Sequence, residues 1–196
     1  MTKWRFLLSL LPVLFLTACR TAQVRLDTAA PYQAELARLQ SVKSVQPGSD
    51  EERQAIERVK GFFATMTADS VREGTSKVYA PDAYLNDTLT TLRGSARIES
   101  YFLETVKQSE SVTVVFEDVA RSGDNYYFRW VMDTRLKKLR KGKTIRTIGI
   151  THMRFDGQGR VVLHQDFWDS ASGLYEHVPG LGGMMRWVRA KIEATP

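Results

Sequence analysis

The residues best suited to chemistry sit near the end of the sequence, where His164, Asp166 and Trp168 alternate with Gln165 and Phe167. In an extended strand, side chains two apart share a face, so this imidazole, carboxylate and indole would stand side by side. An imidazole beside a carboxylate can serve as a general acid–base pair. The same two groups could instead form a satisfied cavity-lining pair, or face a second copy of the chain. The remaining histidines, His152 and His177, add no pairing at i,i+4, the spacing that builds a helical metal site, and no metal is expected. No glycine-rich phosphate loop opens a helix and there is no nucleophile elbow. Gly180-Leu181-Gly182-Gly183 precedes a helix but follows no strand, and reads as a linker. No cofactor is expected.

Cys19, the only cysteine, carries a different chemistry and excludes an intrachain disulfide. With Leu16-Thr17-Ala18 before it, it resembles the lipobox of bacterial lipoproteins, whose cysteine is acylated (palmitate is one such chain) and becomes the mature N-terminus. Lys3 and Arg5 form a basic start, and Phe6–Ala18 is an almost purely apolar run interrupted by Pro12. As a helix that run would span roughly 20 Å, short of the ~30 Å hydrocarbon core, so residues 1–18 read as a signal peptide. An ordinary secretory signal with a chance cysteine is the alternative. By the same resemblance, Arg20 in place of Asp implies the outer membrane, facing the periplasm. Membrane attachment would then run through lipid on Cys19. Losing Lys3 and Arg5 takes the net charge from +6 to +4, a modest basicity that in an envelope protein does not imply nucleic-acid binding.

The elements that must position these residues are legible in outline. The 196 residues fit one domain plus extensions. Residues 19–48, rich in Thr, Ala, Gln and Ser, read as a tether, although part of Gln33–Val45 could be helical. Ser49-Asp50-Glu51-Glu52 is a capping box, followed by Ile56, Val59, Phe63 and Met66 on one helical face. Ala83–Asp87 is expected as a short strand, and Gly94-Ser95 opens a helix with Ile98, Phe102 and Val106 on one side. The period then drops to two over Val112–Ala120, Tyr126–Leu136, Thr144–Phe155 and Arg160–Asp169. Turn segments at 122–125, 140–143 and 156–159 make these neighbours antiparallel. Helices first and a meander after them predict an α+β domain. A last helix, Met184–Glu193, sets Met184, Met185, Val188 and Ile192 against Arg186, Arg189 and Lys191, with Trp187 beside them. It fits docking over the domain's own sheet or a partner, or a membrane interface. The acid-free run Arg135–Arg146 holds seven basic residues. It is either a solvated hairpin tip or a contact for anionic headgroups, at roughly 1 kcal/mol per charge.

Over roughly residues 52–170, this order resembles the nuclear transport factor 2-like superfamily, in its SnoaL-like and steroid delta-isomerase branch. The resemblance is carried by Tyr79-Ala80-Pro81-Asp82-Ala83 leading to Asn86-Asp87, by Arg93-Gly94-Ser95-Ala96-Arg97-Ile98, and by residues 153–162 around Asp156-Gly157-Gln158-Gly159. It implies a cone: a curved antiparallel sheet wrapped around N-terminal helices, with a deep apolar pocket. In steroid isomerases an Asp base works with a Tyr and a protonated Asp as oxyanion donors. The resemblance places Asp87 at the base, but Phe63 at the Tyr position and Thr151 at the second Asp. Each oxyanion donor supplies about 3–4 kcal/mol, so ketosteroid isomerisation is not expected. The implied pocket includes Phe63, Thr151, Met153 and Trp168, with Asp87, His164 and Asp166 as candidate catalytic groups. The alternative for Asp87 is a loop carboxylate capping its turn. His152, on the opposite strand face, is expected at the surface or an interface.

The expected organisation is therefore a signal peptide at 1–18, a tether at 19–48, a SnoaL-like domain at 49–170 and a helical extension at 171–196. Three functions follow: a module binding a small, largely apolar ligand; an isomerase-, dehydratase- or cyclase-type enzyme using Asp87, His164 and Asp166; or a homodimeric assembly module.

Overall fold

The computed structural model describes residues 27–139 and 142–193, so the expected signal peptide and the expected lipobox with Cys19 lie outside the described residues. Helices α1 (Ala30–Arg38), α2 (Asp50–Ala64) and α3 (Ala68–Val78) lead into strand β1 (Tyr79–Asn86). Strand β2 (Thr91–Arg93) and helix α4 (Ser95–Gln108) follow, then the long strands β3 (Ser109–Ser122), β4 (Asn125–Leu136), β5 (Thr144–Phe155) and β6 (Val161–Trp168). The short α5 (Ser170–Gly173), a 3-10 turn and α6 (Leu181–Glu193) complete the described chain.

One six-stranded sheet runs in the order β2-β1-β6-β5-β4-β3. Strands β3 to β6 form the expected meander, and the β3–β4 hairpin turns at Gly123, whose φ of 59° suits glycine. Between β5 and β6, Asp156 Oδ1 accepts from the backbone N–H of Gln158 and Arg160, at 2.9 Å each. β1 pairs with β6 in parallel, so the sheet is antiparallel except at this one pair. α2, α3 and α4 cover the inner face, where Phe62, Phe63 and Phe102 meet edge-on or tilted and pack with Ile98, Phe128 and Phe155 in one core. The α2 cap is only half a capping box. Ser49 Oγ accepts from Glu52 N at 3.1 Å, but the Glu52 carboxylate reaches back to Gly48 N and also takes the Tyr126 hydroxyl, both at 2.6 Å.

Four expectations are corrected. The tether drawn over 19–48 does not extend through its second half. α1 packs on the outer face of the sheet, and Leu39 and Val45 are buried at 0% and 3% exposure. Its Glu35 is also buried, with Arg38 2.6 Å away and Arg93 in contact. Burial alone would push the Glu35 carboxyl up, but these two guanidinium groups outweigh it and hold the carboxyl below its usual value. His152 does face outward, yet it is 1% exposed because α1 covers it. The last helix begins at Leu181 and does not dock over the sheet. It packs against the preceding 3-10 turn and leaves Met184, Trp187, Val188 and Ile192 exposed. Gly182, expected in a linker, lies inside that contact, where a Cβ would come within 2.1 Å of the Glu176 carbonyl oxygen.

Candidate functional site

Strand alternation and helix packing leave a cavity of about 190 Å³ on the inner face. Phe63 comes from α2, Tyr101, Phe102 and Thr105 from α4, and Val112, Val114 and Phe116 from β3. β4 contributes Trp130, Met132 and Thr134, β5 contributes Ile145 and Thr151, and β6 contributes His164, Asp166 and Trp168. Asp87 stands just after β1. No Lys or Arg among the described residues lines the cavity. Among the described residues, no group of three His, Cys, Asp or Glu is placed to hold a metal ion.

Six of the seven residues expected at the site line this cavity: Asp87, His164, Asp166, Phe63, Thr151 and Trp168. Met153 does not. It shares the Thr151 face of β5, but one step further along it pairs with Tyr126 and His164, where the sheet closes on its core. There it is 0% exposed, packed into the core cluster below the cavity.

The polar groups form two sets. In the first, Tyr79 Oη meets His164 Nδ1 at 2.9 Å and His164 Nε2 meets Asp166 Oδ1 at 3.0 Å. Trp130 Nε1 donates to Thr151 Oγ1 at 2.8 Å, and Thr151 Oγ1 donates to the same Asp166 oxygen at 2.5 Å. A carboxylate only accepts, so the network assigns the His164 proton to Nε2 and leaves Nδ1 to accept from Tyr79. Burial, and then the nearby Asp166 charge, push the Tyr79 phenol well above its usual value, which keeps it a donor. Every donor in this set thus points toward Asp166. Glycine makes the arrangement possible: the Trp130 indole lies against Gly149, where a Cβ would fall 2.3 Å from the ring.

The second set surrounds Asp87. Its Oδ1 accepts from Leu89 N at 3.0 Å and Thr90 N at 2.9 Å, so it does cap its own turn. Its Oδ2 accepts the Tyr101 hydroxyl, and its backbone carbonyl takes Trp168 Nε1 at 2.7 Å. Burial and the adjacent Asp87 keep the Tyr101 phenol protonated far above its usual range. The sequence reading missed Tyr101, Trp130 and Tyr79 as polar members of the site. Tyr101 lies one position from Phe102 and three from Ile98, so it reads as part of an apolar helix face.

Residues 59–164 match the SnoaL-like domain family. No curated protein matches the chain. Solved structures share the fold. A hypothetical protein with a ketosteroid isomerase-like fold from Catenulispora acidiphila, in complex with trimethylamine, is 18% identical, with a TM-score of 0.53 over 62% of this chain and 89% of that one. An epoxide hydrolase of the LEH-like type from M. tuberculosis is 13% identical, with a TM-score of 0.53 over 76% of this chain and 100% of its own. TsrD from Streptomyces laurentii is 16% identical, with a TM-score of 0.55 over 70% and 98%. At such identities the likeness shows the fold alone. The match over 59–164 shows more: this chain belongs to the SnoaL-like family, within the nuclear transport factor 2-like superfamily.

Proposed function

We propose that this is a lipid-anchored cell-envelope protein whose SnoaL-like domain binds a small, largely apolar molecule without ketosteroid isomerase activity. One observation carries the binding reading: the walls of the cavity are apolar and aromatic, and the side-chain donors among them, the Thr134 hydroxyl excepted, are already engaged by the protein's own acceptors. Isomerising a ketone needs donors aimed at an oxygen that gains charge, each worth about 10²–10³ in rate. Phe63 has no hydroxyl, and the Thr151 hydroxyl is held by Asp166. With a standard 3-oxo-Δ5-steroid we expect no turnover above background. Native mass spectrometry of protein purified from its own membranes tests the binding reading. A retained small molecule is expected, and a consistently empty cavity counts against it.

The anchor rests on the basic start, the apolar run and Leu16-Thr17-Ala18-Cys19. Its address is proposed as the outer membrane, facing the periplasm. Wild-type protein should begin at Cys19 and carry acyl mass, whereas Cys19→Ser should accumulate as unacylated precursor. Wild-type protein without acyl mass would sink the lipoprotein reading.

An acid–base enzyme is the second reading, favoured by Asp87, His164 and Asp166 facing one cavity. It requires that Asp87→Asn abolish turnover of an identified substrate while affinity stays nearly unchanged. A homodimer is also proposed. Val115, Ile148, Ile150 and Phe167 are exposed on the outer sheet face, and sedimentation at micromolar concentration would report the pairing.

A further inference from the structure

The chemistry of the cavity wall goes beyond "apolar" and selects the sign of what enters. Among the described residues it carries two carboxylates, Asp87 and Asp166, and no Lys or Arg. His164 is occupied at both ring nitrogens, by Tyr79 and by Asp166. The phenol of Tyr101, the hydroxyl of Thr151 and the indole N–H groups of Trp130 and Trp168 all donate within the protein. Thr105 donates to the Tyr101 carbonyl at 3.0 Å. Among the described residues, the Thr134 hydroxyl is the one lining side-chain donor without a partner. The acceptors are not used up in the same way. Asp166 takes both of its hydrogen bonds at Oδ1, and Oδ2 accepts none from the described residues.

Such a wall is poor in donors and rich in acceptors. A ketone, ester or carboxylate brings further acceptors and would leave them desolvated and unmatched, while a ligand carrying N–H groups and positive charge meets both needs. The aromatic side chains of Phe63, Phe116, Trp130 and Trp168 line the same cavity, and aromatic rings attract a cation. We propose that the cavity binds a small apolar amine as its ammonium ion, held by Asp166 and enclosed by these rings. This rests on the binding reading above and names the class of its ligand. Size narrows it further. A cavity of about 150 Å³ accommodates benzene, so 190 Å³ suits a single ring carrying one amino group.

Three probes share one six-membered carbon ring and differ in its one polar group: cyclohexylamine, cyclohexanol and cyclohexanone. Titrated into wild-type protein at pH 7 and followed by calorimetry or ligand-observed NMR, the amine should bind at least tenfold more tightly than the ketone, with the alcohol between them. Asp166→Asn should cut amine affinity at least tenfold and leave ketone affinity within about threefold. The wild-type comparison needs no variant and stands even if Asp166→Asn fails to fold. A ketone that binds as tightly as the amine overturns the proposal while leaving the pocket a binding site. Failure of all three probes, with a retained ligand still present by native mass spectrometry, overturns the amine assignment alone. Failure of all three with no retained ligand overturns both readings.

Discussion

Two histidines on neighbouring strands face opposite sides of the sheet and have nearly the same immediate surroundings. His164 is 4% exposed and His152 1%. Each has a tyrosine hydroxyl at Nδ1: Tyr79 at 2.9 Å for His164 and Tyr32 at 2.7 Å for His152. Each also has an oxygen near Nε2, from Asp166 at 3.0 Å and from Asn125 at 2.9 Å. The differences lie one shell further out. His164 passes its hydrogen bond to a carboxylate that opens on a cavity. His152 passes its own to a neutral amide, stacks on Tyr127 with ring centres 4.8 Å apart, and is closed over by α1. Burial and a full set of hydrogen bonds therefore do not by themselves single out a candidate histidine, and only the partner of His164 lines the cavity.

The largest effect should come from uncovering His152. A chain beginning at Ser49 loses Tyr32, together with the burial of Leu39 and Val45. Fully burying each of those two side chains is worth about 1.5–3 kcal/mol, so this truncation should lose roughly 3–6 kcal/mol, a large share of a typical domain's stability. Urea unfolding measures the loss directly. A midpoint close to that of the longer chain would make α1 a passenger and restore the tether.

The next effect is a pH dependence that belongs to the outer histidine. Burial first, and the Arg154 charge second, push His152 down to about 4. The unfolded chain, with an ordinary histidine value near 6.5, takes up a proton that the folded chain refuses. The stability this provides is fully present above pH 6.5 and drains away as the pH falls towards 4. At about 1.4 kcal/mol per pH unit of difference, it reaches at most about 3 kcal/mol. His152→Gln should flatten the stability curve between pH 6.5 and 5, before the carboxylates contribute. Equal slopes in wild type and variant would mean that the ring is open to water.

The same comparison shows what the sequence could and could not reveal. The meander was legible because β-rich runs of period two alternate with Gly123-Asp124 and Asp156-Gly157-Gln158-Gly159, whose turn chemistry is local. Period two also placed His164, Asp166 and Trp168 on one face. It could not tell depth along a strand, and so Met153 went to the cavity when it belongs to the core. The parallel β1–β6 pair joins Leu85 to His164 across most of the domain and leaves no local mark. α1 was obscured for another reason. Its contacts come from a few apolar side chains, Tyr32 and Leu36 with Leu39 just after its end, scattered among polar ones, and a tether can carry the same composition. Tyr101 was hidden because its partner Asp87 is supplied by a loop 14 residues away.

The smallest effect probes the inner set most finely. Thr151 stands between two groups, taking the Trp130 N–H and giving its own hydrogen to Asp166. Thr151→Val keeps the shape and removes both links. The Trp130 ring cannot readily follow, because it lies against Gly149 with no room even for a Cβ. Its N–H is then left as a donor on the cavity wall, and Asp166 Oδ1 loses one of its two hydrogen bonds. Stability should fall by about 1–3 kcal/mol for the orphaned donor. Binding should change in a direction that simple damage would not produce. Cyclohexanone, which finds little to accept from in the wild type, should gain roughly two- to tenfold, within 1.4 kcal/mol. Cyclohexylamine should lose nothing, since Asp166 has more free acceptor capacity than before. His152→Gln, which alters the other face of the same sheet, should leave both affinities within twofold. Parallel losses of amine and ketone in Thr151→Val would mean that the wall responds as packing alone, and that the direction of its hydrogen bonds does not select the ligand.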